Sequence, residues 1–117
     1  MRDYTKIEAW RLADDLTVNV YARTRRFPKE EMYGLTSQLR RASYSVPANI
    51  VEGSASRSRP EFRRFLTISM RSLRELAYWF IMARDLEYLD KTSFKTLEDL
   101  RDRAGYLTWR LYQSQRD

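Results

Sequence analysis

The feature that most constrains the fold is a repeat of apolar and small residues within residues 59–87. Its members lie at alternating spacings of four and three residues: Phe62, Leu66, Ser69, Leu73, Leu76, Phe80 and Ala83. An α-helix of about 3.6 residues per turn brings such positions onto one face. Ser58 and Glu61 have the spacing of a capping box, and Pro60 is tolerated in a first helical turn. The pattern therefore predicts one helix over residues 59–87.

A second segment, residues 29–53, keeps one apolar face although it contains a proline. The face consists of Met32, Leu35, Leu39, Ala42, Val46, Ile50 and Gly53. A turn at Pro47 would reset this register, and the register instead passes through it. We therefore predict a single helix bent at Pro47. The missing N–H of the proline would leave the carbonyl of Ser43 without its usual donor.

Two more amphipathic segments, residues 5–24 and 91–114, complete a set of four helices. Short connections between long amphipathic helices make successive helices antiparallel. With only three glycines and three prolines, the chain has little of the turn chemistry of a many-stranded β fold. We predict an all-α protein, an antiparallel up-down-up-down four-helix bundle that forms a single domain over residues 1–117.

The absence of two residue types limits the chemistry of the chain. It contains no histidine and no cysteine, hence no imidazole base, thiolate nucleophile or soft metal ligand. No glycine-rich phosphate loop or nucleophile elbow is visible. We expect a protein that is not an enzyme and has neither cofactor nor metal.

No apolar run reaches the roughly 20 residues of a membrane span, and no signal peptide is apparent, so we expect a cytoplasmic protein without a membrane partner.

The positive charge of the chain is unevenly distributed. The net charge of +6 comes with 18 arginines and 4 lysines, and guanidinium groups bind phosphate bidentately. Residues 55–74 have a local net charge of +5, whereas residues 85–102 carry −3. This polarity favours binding of a polyanion such as RNA or DNA. The alternative is a solvated helix surface whose arginines pair with acidic residues of neighbouring protomers.

Helical geometry assigns the candidate residues to the outer faces of the second and third helices and to their connection. We expect nucleic acid to be bound, by phosphate contacts of arginines and base stacking on a tyrosine, at Arg40, Arg41, Tyr44, Arg57, Arg59, Arg63, Arg64, Arg71 and Arg74. The chain also has 16 aromatic residues, more than one small core requires. Those beside the core stripes predict an oligomer interface: Tyr33, Tyr78, Tyr106, Trp109 and Tyr112. Each could instead be a half-buried residue with its polar atom in water.

Three stretches of the sequence resemble a known family. YGLTSQLRRA (33–42), SVPANIVEGSAS (45–56) and EFRRFLTIS (61–69) are similar to the four-helix-bundle proteins encoded by intervening sequences in bacterial 23S rRNA genes, the IVS or S23 family. IEAWRLADDL (7–16) and the FP before the second helix fit the same pattern, so the resemblance covers nearly the whole chain. The departures are Tyr44, where a small aliphatic residue is more usual, and an arginine-richer third helix.

The resemblance implies a bundle that assembles as a homopentamer. More distantly, the chain is similar to the accessory variability determinant proteins of diversity-generating retroelements, which are pentameric and basic and bind a reverse transcriptase and its RNA. Two functions follow as hypotheses. The first is an oligomeric, non-catalytic protein that binds structured RNA, with ribosomal RNA as one candidate. The second is an adaptor ring that presents its surface to a polymerase or another protein and has no direct nucleic-acid role.

Overall fold

A computed structural model describes residues 2–116, and within this range the fold is entirely helical, as predicted. The four helices are α1 (Glu8–Thr24), α2 (Leu35–Ser54), α3 (Arg59–Asp85) and α4 (Lys91–Ser114). Short 3-10 turns at Tyr4–Lys6 and Lys29–Glu31 precede α1 and α2. Among the described helices, none combines the length and apolar character that a membrane crossing requires.

The helices form a ring in which each packs against two neighbours, and α4 closes the ring against α1. Residue pairs between adjacent helices run in opposite order. Thr17 of α1 contacts Ser43 of α2, whereas the later Thr24 contacts the earlier Arg40. The same inverse order holds between α2 and α3, in the pairs Ser45–Ser72 and Gly53–Phe62. It also holds between α3 and α4, in the pairs Arg63–Gln115 and Arg84–Phe94. Adjacent helices are therefore antiparallel, as expected for the predicted bundle.

The core consists of the periodic positions of the sequence. All seven members of the α3 repeat are buried, and Phe62 and Phe80 are the largest of them. On α2, the predicted face is buried from Leu35 to Gly53. Met32 differs, because it lies in the turn before α2 and is 47% exposed.

The structure differs from the sequence prediction mainly at the helix ends. The second helix begins at Leu35 rather than at residue 29, because residues 29–31 form a 3-10 turn and Gly34 has a non-helical backbone (φ −117°, ψ −114°). The Glu31 carboxylate accepts a hydrogen bond from the Leu35 N–H at 3.1 Å. This side chain therefore caps α2 from the preceding turn.

The other two differences are smaller. The first helix begins at Glu8 rather than at residue 5, because Ile7 has an extended backbone after the 3-10 turn that Asp3 caps. The third helix ends at Asp85 rather than at residue 87. There Glu87 takes a left-handed conformation (φ 65°), and the Tyr88 N–H returns to the Ala83 carbonyl at 2.9 Å, a helix-terminating pattern.

The predicted continuity of α2 across Pro47 is confirmed. The proline cannot donate to the carbonyl of Ser43, four residues earlier. This carbonyl instead accepts a hydrogen bond from Thr17 Oγ1 of α1 at 2.9 Å, and the same hydroxyl also lies 3.1 Å from the Ala13 carbonyl of its own helix. A side chain of the neighbouring helix thus replaces the donor that the proline removes.

Hydroxyl groups of α3 bind the same part of α2. Ser69 Oγ donates to the carbonyl of Val46 at 2.9 Å, and Ser72 Oγ donates to Ser45 Oγ at 2.8 Å. Ser69 is completely buried, so its polar atom must be paired inside the bundle. The middle of α2 is therefore bound on one side by α1 and on the other by α3.

The helices α2 and α3 approach each other closely at Gly53. A Cβ atom placed there would lie 2.7 Å from Cδ1 of Phe62 and 3.0 Å from Cβ of Phe65. Phe62 is completely buried, so it could move aside only by shifting other core residues. Only glycine fits at this position without displacing α3.

The two glycines inside helices should respond to alanine in opposite directions. We expect Gly53→Ala to lower the free energy of unfolding by about 1–3 kcal/mol, because the methyl group overpacks the Phe62 contact. Gly105 is the matched control, since its nearest contact would be Leu73 Cδ1 at 3.9 Å. Gly105→Ala should raise the free energy of unfolding by about 0.5–1 kcal/mol through helix propensity. Denaturant titrations measure both, and stabilisation by Gly53→Ala would contradict the close approach.

Thr17 and Pro47 should be energetically coupled. Thr17→Val leaves the Ser43 carbonyl unpaired and should lower the free energy of unfolding by about 1–3 kcal/mol. Pro47→Ala returns a backbone N–H to α2, so Thr17→Val should be less destabilising in that background. A double-mutant cycle measured by denaturant unfolding should show coupling of about 1 kcal/mol or more. Additive effects would show that Thr17 does not replace the missing donor.

Candidate nucleic-acid interface

Five of the predicted arginines form one exposed group, which we call the arginine band: Arg57, Arg59, Arg64, Arg71 and Arg74. Two lie in or beside the α2–α3 connection and three on the outer side of α3. Arg64 and Arg71 are seven residues apart and so follow one line along the helix. Within residues 2–116 none of the five makes a side-chain hydrogen bond or ion pair. Their guanidinium groups are open to solvent.

Arg63 differs from its neighbour Arg64. Its Nη1 donates to the backbone carbonyl of Gln115, just beyond the C-terminal end of α4. Arg2 Nη2 donates to the side-chain oxygen of the same glutamine at 3.4 Å. A cation at a helix C-terminus is favoured by the helix dipole. The structure therefore places Arg63 in a contact that holds α4 to α3, apart from the arginine band.

Arg40 and Arg41 diverge although they are adjacent, because successive helical residues point about 100° apart. Arg40 turns toward α1, where its Nε donates to Thr24 Oγ1 at 2.9 Å and its guanidinium lies over the Tyr21 ring at 4.7 Å. Arg41 turns toward α3 and lies 3.4 Å from the Glu75 carboxylate. Arg40 is held by these two contacts, whereas Arg41 has an exposed, weak ion pair and a hydrogen bond from its Nη2 to Gln38 Oε1 at 2.6 Å.

An open cleft of about 270 Å³ lies beside these two arginines, between α1 and the start of α2. Tyr33 and Tyr44 line it together with Arg40 and Arg41. Tyr44 is 48% exposed and Tyr33 is 97% exposed. The structure thus brings two predicted nucleic-acid residues together with a tyrosine that the sequence predicted for the oligomer interface.

Four residues of this cleft were not predicted as site residues from the sequence, namely Tyr21, Met32, Thr36 and Ser37, and two of them bear on its chemistry. Tyr21 supports the Arg40 guanidinium, and the hydroxyl of Thr36 is buried there without a hydrogen-bond partner among the described residues. Tyr21 follows the buried Val20 on the inner side of α1, and helical geometry could have placed it near α2. No sequence pattern could have shown that the Thr36 hydroxyl is buried without a hydrogen-bond partner.

Four of the five predicted interface aromatics are strongly exposed: Tyr33, Tyr78, Tyr106 and Trp109. Tyr112 is only partly exposed and packs against the hydrophobic core. Additional apolar side chains on outer helix surfaces were not predicted: Val18, Ile68, Ile81 and Leu86. Ile81 lies one turn after Tyr78 on α3 and Ile68 lies nearer the start of that helix, and their offset from the core repeat could have identified them.

The acidic end of the chain is internally paired. Arg101 binds Glu98 at 2.7 Å and Asp102 at 3.2 Å, and the hydrogen bond to Glu98 raises the pKa of Arg101. Other short-range pairs in this region are Lys95–Asp99 and Arg84–Asp85. The pKa of Asp90 is lowered because its carboxylate accepts a hydrogen bond from the backbone N–H of Ser93, in the first turn of α4. The acidic end thus neutralises much of its charge locally, in contrast to the arginine band.

Comparisons with known proteins agree with this architecture. The sequence model of the 23S rRNA-intervening sequence protein family matches residues 5–108. A solved structure from Bacteroides thetaiotaomicron, described as a protein of unknown function from the S23 ribosomal protein family, superposes with a TM-score of 0.79. The two sequences are 19% identical, and the superposition covers 89% of this chain and 97% of the Bacteroides chain. At this identity the similarity concerns the fold alone. No curated protein matched significantly. By the extent of the family match, the chain belongs to the 23S rRNA-intervening sequence protein family.

Proposed function

We propose that this protein is an oligomeric, non-catalytic protein that binds structured RNA through the arginine band. The observation that carries the proposal is the set of five exposed arginines without an intramolecular partner within residues 2–116. A guanidinium group is weakly hydrated, so exchanging its water for phosphate oxygens costs little free energy. Binding also releases the counterions of the RNA. Such contacts follow the backbone of an A-form helix and read few bases.

The proposal includes assembly into a homopentamer, the state that the family resemblance implies. Five copies would carry a formal charge of about +30, five times that of one chain. Such a field attracts RNA strongly at low salt and weakly at high salt. Membership of a family named for 23S rRNA makes ribosomal RNA the first ligand to test.

A second candidate function is an adaptor ring that binds a polymerase or another protein. Exposed apolar side chains on α3 and α4 favour it, because Tyr78, Ile81, Tyr106 and Trp109 present more apolar surface than a monomeric bundle needs. The same surface would serve subunit assembly. The two candidates separate in a native pull-down, where protein partners that survive nuclease treatment support the adaptor and their complete loss supports RNA binding.

The arginine band should set the salt dependence of RNA binding. Arg64→Glu with Arg71→Glu removes two phosphate contacts and adds two repulsive charges. We expect affinity for a structured rRNA fragment to fall at least about tenfold at low salt. The slope of log affinity against log salt concentration should fall by roughly one for each lost contact. Filter binding at a series of salt concentrations measures both quantities.

The matched control is Arg25→Glu with Arg26→Glu, which changes the net charge equally at the other end of the bundle. Both residues are exposed, just beyond the C-terminal end of α1. This variant should weaken binding less than the Arg64 and Arg71 variant does. Equal losses would mean that only net charge matters, and absence of RNA binding by the parent protein would overturn the proposal.

The α4 aromatics should determine the oligomeric state. Tyr106→Glu with Trp109→Glu places two charges on half-exposed surface that we expect to be buried between subunits. Light scattering after nuclease treatment should report a multiple of the chain mass for the parent protein and a lower mass for this variant. Val18→Glu, on the exposed side of α1, is the control and should leave the mass unchanged. A parent protein that is monomeric at micromolar concentration would contradict the assembly.

A further inference from the structure

The cleft between α1 and α2 contains an arginine that is already ordered for binding. Arg40 Nε donates to Thr24 Oγ1, and the Thr24 hydroxyl in turn donates to the Val20 carbonyl at 2.8 Å. The Arg40 Cζ also lies over the Tyr21 ring, 4.7 Å from its centroid, which is a cation–π contact. Two independent contacts therefore restrict the position of this guanidinium before any ligand arrives.

The two terminal nitrogens of Arg40 remain available. Within residues 2–116 neither Nη1 nor Nη2 makes a hydrogen bond or ion pair, since the only polar contact of this side chain is through Nε. Arg40 lines the cleft. A guanidinium that is anchored by Nε and open at both Nη atoms presents the fork that binds two oxygens of a phosphate.

Thr36 supplies a second, independent indication of a ligand. Its side chain lines the cleft and is only 2% exposed, and its hydroxyl has no hydrogen-bond partner within residues 2–116. Buried hydroxyl groups are nearly always paired, and an unpaired one is costly. This hydroxyl is covered in the free protein, and a small opening of the cleft on binding would let a ligand oxygen or nitrogen become its missing partner.

The rest of the cleft is aromatic rather than acidic. Tyr33 is almost fully exposed and Tyr44 is half-exposed, so both rings can stack on a planar ligand. Among residues 2–116, no acidic side chain lines the cleft. A volume of about 270 Å³ is near the lower limit of ligand pockets, about 300 Å³, which fits one small ligand unit.

We propose that this cleft binds a single nucleotide, with its phosphate on the Arg40 fork and the Thr36 hydroxyl and its base against Tyr33 or Tyr44. The inference deepens the proposed function and rests on it for the source of the nucleotide, an unpaired residue of a bound RNA strand. A free nucleotide has the same chemistry. The experiment therefore includes both sources.

The test is isothermal titration of the full chain with four probes: adenosine 5′-monophosphate, adenosine, ribose 5-phosphate and a single-stranded hexaribonucleotide. The monophosphate and the hexamer should bind. Adenosine and ribose 5-phosphate should each bind at least about tenfold more weakly than the monophosphate, because each lacks one of the two recognised groups. Binding of the hexamer alone supports a site for a strand, and stronger binding of the monophosphate supports a site for the free nucleotide.

Thr36→Val is the most informative variant. It keeps the shape and removes a hydroxyl that has no protein partner, so the melting temperature should stay the same or rise. Affinity for the bound probes should nevertheless fall at least about fivefold. Tyr33→Ala, at a side chain that is 97% exposed, should weaken binding without loss of stability. Thr108→Val is the control, because its buried hydroxyl already bonds the Ala104 carbonyl, and it should leave affinity unchanged.

The outcomes separate this proposal from the proposed function. If structured RNA binds but neither the monophosphate nor the hexamer does, the nucleotide cleft is overturned and the arginine band stands. If the monophosphate binds while structured RNA does not, the cleft stands as a nucleotide site and the proposed function fails. Unchanged affinity in both Thr36→Val and Tyr33→Ala overturns the placement of the nucleotide in this cleft.

Discussion

The hydrogen bond from Thr17 Oγ1 to the Ser43 carbonyl allows α2 to continue through a proline, and much of the surface depends on that continuity. An interior proline destabilises an isolated helix by about 3 kcal/mol, partly through the carbonyl it leaves unpaired. Here the donor comes from α1, so the helix is completed only when α1 and α2 are packed together. Tertiary structure thereby stabilises a local conformation that the sequence of α2 alone disfavours. Arg41 and Tyr44 share one outer face with the later part of α2 because the register does not break at Pro47.

The contact of Gly53 with Phe62 plays a comparable part at the α2–α3 connection. Because Phe62 packs directly on the backbone of α2, the first turn of α3 is held close to the last turn of α2. Arg57 and Arg59 are consequently concentrated on the outside of one tight connection. Cζ of Arg2 lies over the same Phe62 ring, 4.8 Å from its centroid. The high charge density at this end thus follows from close packing beneath it.

The sequence was sufficient to predict the bundle, because the apolar repeat of α3 and the unbroken register across Pro47 are local patterns. It was insufficient for the start of α2, where the Glu31 cap depends on the geometry of a 3-10 turn that no periodicity reveals. The site was only partly predictable for a similar reason. Arg63 and Arg64 look equivalent in the sequence, yet Arg63 binds a carbonyl of Gln115, which is 52 residues away in the chain. A partner so distant can be identified only when the helices are in place.

The arginine band and Arg40 differ in how much side-chain freedom they would lose when they bind RNA. An arginine side chain loses up to about 2 kcal/mol of conformational freedom when it is immobilised. For the arginine band this loss would accompany binding, so long-range attraction would dominate over defined geometry. For Arg40 the loss has already occurred on folding, because Thr24 and Tyr21 hold the guanidinium. In the proposed complex the band would therefore govern the capture of RNA and its salt dependence, while Arg40 would govern the position of one nucleotide. Arg41 adjoins both regions, since it lines the cleft and binds Glu75 on α3.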